Sequence, residues 1–254
     1  MVRQDLRPLI AAPPSQPDFG TLCARRAARA RELAERHAAT RQVLEFYAEI
    51  AAFQARISTE SPLDSRADLV DLVIRIAPDP LQAAARCFDA PASELALEAY
   101  RRGEDTESPR SFFARILLGP VAAAGDMDAA TGGDPIDRCP RCGQAPQVCC
   151  SRTSGDGTAL SLACSLCLAE WGFPRTRCAA CGQGNDAELA WYGTDELPHL
   201  QVRACEICKR YLHVVNMVAE PHAVPDVDEI AALPLDLWAS EHGYRKLRPN
   251  LVGV

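Results

Sequence analysis

The 254-residue sequence has few aromatic residues and no excess of positive charge. Phe, Trp and Tyr together make up 6% of the chain, and the formal net charge is −7 at pH 7. An acidic protein is a poor nucleic-acid binder, because the phosphate backbone selects a basic face. No apolar run approaches the roughly 20 residues of a membrane span, and residues 1–20 lack the apolar stretch of a secretory signal. We therefore expect a cytoplasmic protein that binds neither nucleic acid nor membrane.

Sequence motifs typical of catalysis are absent too. The chain has no glycine-rich phosphate loop, no Gly-x-Ser-x-Gly nucleophile elbow and no His-x-x-x-His spacing. Among its five histidines, only His199 and His213 are candidates for supporting a neighbouring metal site. The sequence therefore carries none of these catalytic signatures.

What the sequence does contain is cysteine in an ordered pattern. A Cys-x-x-Cys turn directs two thiolates at one point, and a tetrahedral ion needs two such turns. Four pairs therefore predict two metal ions, iron or zinc, each bound by four cysteines. A disulfide framework is the alternative, but a cytosolic chain keeps its thiols reduced. The eight candidate ligands are Cys139, Cys142, Cys164, Cys167, Cys178, Cys181, Cys205 and Cys208.

The spacing of the pairs favours joining the first with the second and the third with the fourth. The first two pairs are separated by 21 residues and the last two by 23, so each site would close a similar loop. A nested arrangement would instead join the second and third pairs across residues 168–177. Gly143 and Gly182 directly follow the second cysteine of their pairs, where the turn can require a positive φ. A site of four thiolates has no open coordination position, which argues against hydrolytic catalysis.

The four remaining cysteines are predicted to be structural. Cys149 and Cys150 are adjacent in a predicted strand, whose alternation sends their side chains to opposite faces. They are poor partners for one ion. We expect one of them to be buried and the other to have no specific role. Cys23 and Cys87 fall in predicted helices and are expected in the core.

The pattern of apolar residues predicts an α+β fold. An α-helical N-terminal domain precedes two small rubredoxin-like or zinc-ribbon β modules and a short helical C-terminal segment. The predicted units are an extended arm (1–18), the helical domain (19–122), a linker (123–136), the first four-cysteine ribbon (137–174), the second (175–220) and the C-terminal segment (221–254). The last helix of the N-terminal domain is predicted to begin at Pro109 and to end at Gly119-Pro120.

The first predicted helix is rich in arginine. This pattern indicates either a docking surface for an acidic partner or an ordinary solvated helix face. The arginines are Arg25, Arg26, Arg29, Arg31, Arg36 and Arg41.

Several strings near the cysteine pairs resemble the FdhE family of formate dehydrogenase accessory proteins. The resemblance covers residues 137–254. It rests on Cys164-Ser-Leu-Cys167-Leu-Ala-Glu-Trp171, on Arg177-Cys-Ala-Ala-Cys-Gly182, on Val202-Arg-Ala-Cys205-Glu-Ile-Cys208-Lys-Arg-Tyr211-Leu212, and on the C-terminal run Leu233-Pro-Leu-Asp-Leu-Trp-Ala, followed by Gly243-Tyr-Arg-Lys and Pro249-Asn250-Leu251. All four cysteine pairs of the family pattern are intact, so the resemblance implies that the eight cysteines are ligands.

The resemblance implies that the protein is not an enzyme. It implies a cytoplasmic maturation factor that binds the catalytic subunit of formate dehydrogenase and helps to make that enzyme active. Two alternatives stay open at the level of the sequence. The same cysteines filled with iron would suit a rubredoxin-like electron-transfer protein, and filled with zinc they would suit a zinc-ribbon nucleic-acid-binding protein.

Overall fold

The structure, a computed structural model, describes residues 18–104, 108–125, 127 and 135–253. The predicted arm, apart from Asp18, and most of the predicted linker lie outside these residues. Eight helices and seven strands are found within them. The helices are α1 (Phe19–Arg36), α2 (Arg41–Gln54), α3 (Arg66–Ile76), α4 (Asp79–Arg86), α5 (Ala90–Arg102), α6 (Pro109–Ala124), α7 (Pro225–Ala231) and α8 (Leu233–Glu241). The strands are β1 (Pro146–Ser154), β2 (Gly157–Cys164), β3 (Glu170–Phe173), β4 (Leu189–Gly193), β5 (Leu200–Cys205), β6 (Arg210–Asn216) and β7 (Arg245–Lys246). The predicted α+β fold class is confirmed.

The strands form one continuous sheet in the order β3-β2-β1-β6-β5-β4, with β7 added beside β6. Strands β1 to β3 and strands β4 to β6 are each antiparallel. The two groups meet where β1 and β6 pair in parallel, with Val148 opposite His213 and Ser151 opposite Asn216. The two predicted ribbons therefore share backbone hydrogen bonds, and their division at residue 174 stays a prediction.

The sheet is buried on both faces, and its alternating side chains enter two different cores. Cys149 and Leu162 belong to the larger core, which the N-terminal helices fill. Val148 and Cys150 belong to a second core that includes Leu235 of α8. Cys149 and Cys150 thus point to opposite faces as predicted, but both are fully buried.

Helix α6 continues through Gly119-Pro120, where the sequence predicted its end. Proline has no N–H to offer, so the carbonyl oxygen of Ile116 loses its helical partner. The side chain of Gln54, from α2, replaces that partner: its Nε2 donates to the oxygen of Ile116 at 3.2 Å. Glycine at 119 leaves the necessary room, because a Cβ there would lie 3.0 Å from the same Nε2. The helix survives its proline because a neighbouring helix satisfies the freed carbonyl.

Two of the arginines of α1 are buried, which neither interpretation of the arginine cluster anticipated. Arg26 Nε lies 2.6 Å from an oxygen of Asp226, which also accepts a hydrogen bond from the Tyr47 hydroxyl. Arg29 forms a two-pronged pair with Asp228, with N···O distances of 2.6 and 3.0 Å. Both aspartates come from α7, so these ion pairs join α1 to the C-terminal segment.

The third acidic residue of α7 faces the sheet. Glu229 is fully buried, accepts a hydrogen bond from Gln147 of β1 and lies 3.3 Å from Lys246 Nζ of β7. Helix α7 therefore connects the helical domain to both halves of the sheet. It lies over the parallel β1–β6 junction, with contacts to both strands.

Candidate metal centres

The structure brings the eight cysteines of the four pairs into two groups of four. Within each group the sulfur atoms all lie within 4.8 Å of one another. One group contains Cys139, Cys142, Cys164 and Cys167, and the other contains Cys178, Cys181, Cys205 and Cys208. The sequential grouping expected from the spacing is the one observed, and the nested grouping is not.

The four Cys-x-x-Cys turns, which we call knuckles, share one backbone conformation. In each, the residue after the second cysteine has a left-handed φ. The backbone N–H groups of Gly143, Gly182 and Lys209 donate to the carbonyl oxygen of the first cysteine of their pair. Gly143 and Gly182 adopt this conformation with φ of 70° and 72°, as the sequence suggested. Leu168 and Lys209 adopt it with φ of 60° and 56°, without the freedom of glycine. Their position directly after a Cys-x-x-Cys pair is the sequence feature from which the left-handed backbone of Leu168 and Lys209 could have been predicted.

Sulfur-to-sulfur distances test whether the groups suit a tetrahedral ion. Metal–sulfur bonds of about 2.3 Å place the sulfur atoms of a regular tetrahedron about 3.8 Å apart. In the first group, Cys142 lies 3.4 Å from Cys164 and 3.6 Å from Cys167. In the second, Cys181 lies 3.9 Å from Cys205. Four thiolates at these distances fit a divalent ion such as zinc or iron, and both groups could hold one.

Hydrogen bonds to sulfur support the same conclusion. The backbone N–H of Leu166 donates to Cys164 Sγ, and that of Ala180 donates to Cys178 Sγ, each at 3.3 Å. Gln183 Nε2 lies 3.8 Å from Cys205 Sγ. Donors aimed at sulfur stabilise the thiolate form, which is the form that binds metal.

Crowding gives the thiols of the first group very different proton affinities. Hydrogen bonds from the neighbouring thiols, that of Cys142 first, lower the pKa of Cys139. Burial raises the pKa of Cys164, and the neighbouring thiols raise it further. Four buried thiols at van der Waals distance cannot all ionise without a compensating cation. A bound divalent ion would supply that compensation.

The histidines do not approach either group. His199 Nε2 lies 3.1 Å from Asp228, beside the buried Arg29 pair. His213 lies between Glu229 and Asp236, with closest distances of 3.7 and 3.2 Å. The suggestion that either supports a metal site is wrong for this structure. Of the cysteines outside the groups, Cys23 is fully buried as predicted, whereas Cys87 is exposed at the end of α4 and the core prediction for it is wrong.

Comparison with known proteins adds independent support for the resemblance. Residues 176–252 match the family model described as FdhE, C-terminal domain. This part of the chain is similar to the C-terminal domain of FdhE proteins. The match includes all four cysteines of the second group, and the resemblance predicted from the sequence is confirmed.

Two curated relatives match longer stretches of the chain. A Protein FdhE homolog from Aquifex aeolicus is 36% identical over 116 residues, which cover 45% of this chain and 41% of that protein. A Protein FdhE homolog from Pseudomonas aeruginosa is 33% identical over 119 residues, 45% of this chain and 38% of that one. The matched part thus spans about two-fifths of the length of these relatives.

The fold resembles a solved structure over nearly its full length. The crystal structure of the FdhE protein from Pseudomonas aeruginosa superposes with a TM-score of 0.69, covering 94% of this chain and 97% of that chain at 22% identity. At that identity the likeness shows a shared fold, N-terminal helices included. Among the described residues, no helix is both long and apolar enough to cross a bilayer.

Proposed function

We propose that the protein is a non-catalytic accessory factor for the formation of active formate dehydrogenase, and that it acts in the cytoplasm by binding the catalytic subunit of that enzyme. The observation that carries the proposal is the FdhE match over residues 176–252, together with a fold shared with an FdhE protein across both regions of the chain. The closed character of four-cysteine sites supports a binding role over hydrolytic catalysis.

We further propose that the eight grouped cysteines are the ligands of two ions, iron or zinc. The sulfur spacing, the hydrogen bonds to sulfur and the left-handed residue in each knuckle support this assignment. The ions would then crosslink turns that are far apart in sequence, because each group unites two knuckles more than 20 residues apart. Bound metal would therefore stabilise the sheet on which the C-terminal segment packs.

Purification from the native host tests whether the protein binds the catalytic subunit of formate dehydrogenase. The tagged protein should be isolated without oxygen and its co-purifying chains identified by mass spectrometry. We expect the catalytic subunit of formate dehydrogenase, and we expect its loss in the Cys181→Ser/Cys208→Ser variant. Cys87→Ser is the matched control, because Cys87 is an exposed cysteine outside both groups. Full formate dehydrogenase activity in cells that contain only the double variant would contradict the proposal.

Electron transfer is a second candidate function, and the exposure of the second group of cysteines supports it. An iron ion held there would lie near the surface, since Cys181 is exposed and Cys208 is half-buried. Tetrahedral sulfur ligation suits one-electron iron chemistry as well as zinc. Anaerobic voltammetry of the iron-loaded protein distinguishes the two functions. A reversible one-electron wave favours electron transfer, and a protein that retains only zinc excludes it.

A further inference from the structure

The two four-cysteine groups differ in their surroundings although their sequences repeat. All four cysteines of the first group are buried, with none more than 2% exposed. They belong to the large core that also contains α6 and the N-terminal helices. In the second group, the buried members Cys178 and Cys205 share a separate small cluster with Leu189 alone among buried residues. Cys181 is exposed and Cys208 is half-buried.

We infer that the second group is the exchangeable metal site of the protein, where an ion is taken up and released, and that the first group is a permanent structural centre. The inference rests on the proposed metal ligation but not on the formate dehydrogenase partner. It assigns different roles to two sites that the sequence motif makes equivalent.

Metal loss requires an incoming ligand to reach a metal-bound sulfur or the ion itself. A cavity of about 330 Å³ opens directly beside Cys181, between the two ribbons. Its lining includes residues 179–182 of the second group, Arg138 from the first ribbon and Arg177 from the second. A small chelator or a low-mass thiol can therefore approach Cys181 without any movement of the core. For an approach to the first group, the core around α6 must open.

Arg177 is one of the residues that line this cavity beside Cys181. It is held in place by a two-pronged pair with Asp137, with N···O distances of 2.9 and 3.1 Å. A Cβ at position 182 would lie 3.0 Å from Arg177 Nη2, so glycine keeps the knuckle in contact with the arginine. Besides cysteine, the charged side chains that line the cavity are Arg138, Arg177 and Asp137, and their net positive charge favours incoming anionic ligands, including carboxylate chelators and thiolates.

Metal-release kinetics of the whole chain test the inference. The protein is loaded with two zinc ions without oxygen, and release is followed by the absorbance of the zinc complex that excess 4-(2-pyridylazo)resorcinol forms. We expect two phases of equal amplitude that differ in rate by at least about tenfold, a barrier difference of about 1.4 kcal/mol. The fast phase should vanish in Cys181→Ser, which should bind one ion, and persist in Cys87→Ser.

A second measurement does not depend on the folding of any variant. The zinc-loaded wild-type protein is treated with iodoacetamide for increasing times, and each modified cysteine is identified by peptide mass spectrometry. We expect Cys87 to react first, then Cys181 and Cys208, and the first group to react only after unfolding.

Three outcomes overturn the inference. A single release rate for both ions shows that the sites are equivalent. Survival of the fast phase in Cys181→Ser, with its loss in Cys142→Ser, reverses the assignment. A wild-type protein that binds no zinc or iron refutes the metal ligation itself. The formate dehydrogenase proposal is judged separately, by the co-purification experiment.

Discussion

The buried pair between Arg29 and Asp228 gives the sharpest stability prediction. Asp228 is fully buried and accepts from Arg29 at 2.6 and 3.0 Å, from His199 at 3.1 Å and from the backbone N–H of Val224 at 2.8 Å. The substitution Asp228→Asn keeps the shape of the side chain but leaves the guanidinium without its buried counter-charge. Removing one member of a buried pair typically costs about 3–5 kcal/mol of unfolding free energy. Arg29 keeps its ion pair with Glu32 at 2.8 Å, so we expect a loss of about 3 kcal/mol of unfolding free energy, at the lower end of this range.

Urea unfolding followed by far-UV circular dichroism measures this change, with wild-type and variant proteins at the same metal content because bound metal stabilises the native state. Glu32→Gln is the control, since its side chain is 49% exposed and an exposed pair contributes about 1 kcal/mol or less. The double substitution Arg29→Met/Asp228→Leu should recover only part of the loss, because it removes both charges but leaves His199 and the Val224 N–H without their acceptor. A loss in Asp228→Asn no larger than that in Glu32→Gln would refute the reasoning.

The stabilisation that the Arg29–Asp228 pair contributes should decrease at low pH. Burial raises the pKa of Asp228, but the hydrogen bonds from His199 and Arg29 outweigh it, so the pKa lies below its usual value of 3.8. A carboxylate with a lowered pKa stabilises the fold above the unfolded pKa, and that stabilisation is lost as the pH falls through the folded pKa. The difference in unfolding free energy between wild-type and Asp228→Asn should shrink as the pH falls below 3.8, because protonation of Asp228 removes the same charge that the variant lacks.

Three further predictions concern single side chains. Gln54→Leu leaves the Ile116 carbonyl of α6 without a partner and should lower the unfolding free energy by about 1–3 kcal/mol, measured by urea unfolding against Gln42→Leu on the same helix. Lys209→Gly should be more stable than Lys209→Ala by about 1 kcal/mol, because only the glycine relieves the left-handed φ; equal stabilities would show that the knuckle is unstrained. Burial raises the pKa of Cys149 to about 12, so iodoacetamide at pH 8 should leave it unmodified in the native protein and modify it in urea, and native labelling would contradict its placement in the core.

The metal centres were predictable from the sequence because their geometry is local. A Cys-x-x-Cys turn fixes two sulfurs by itself, and the similar loop lengths between pairs decide which turns meet. Most helices were predictable for the same reason, since the apolar period and the Ser108-Pro109 start are short-range signals. The strand β3 gives no clear sequence signal, because Glu170–Phe173 is only four residues long and begins shortly after the Cys164/Cys167 turn.

What the sequence did not predict depends on contacts between distant residues. The continuation of α6 through Pro120 requires an amide from Gln54, 66 residues earlier. Asp226, Asp228 and Glu229 have the composition of a solvated first helical turn, yet all three are buried against partners on other elements. The parallel pairing of β1 with β6 joins two apolar runs that would fit many neighbours equally well.

The metal content of the protein tests the central claim most directly. The chain should be purified without oxygen from its native host and its iron and zinc counted per chain by plasma mass spectrometry. The account predicts two ions per chain, one in Cys181→Ser and two in Cys87→Ser. A wild-type protein with no bound metal, or one that keeps two ions in Cys181→Ser, would contradict the account.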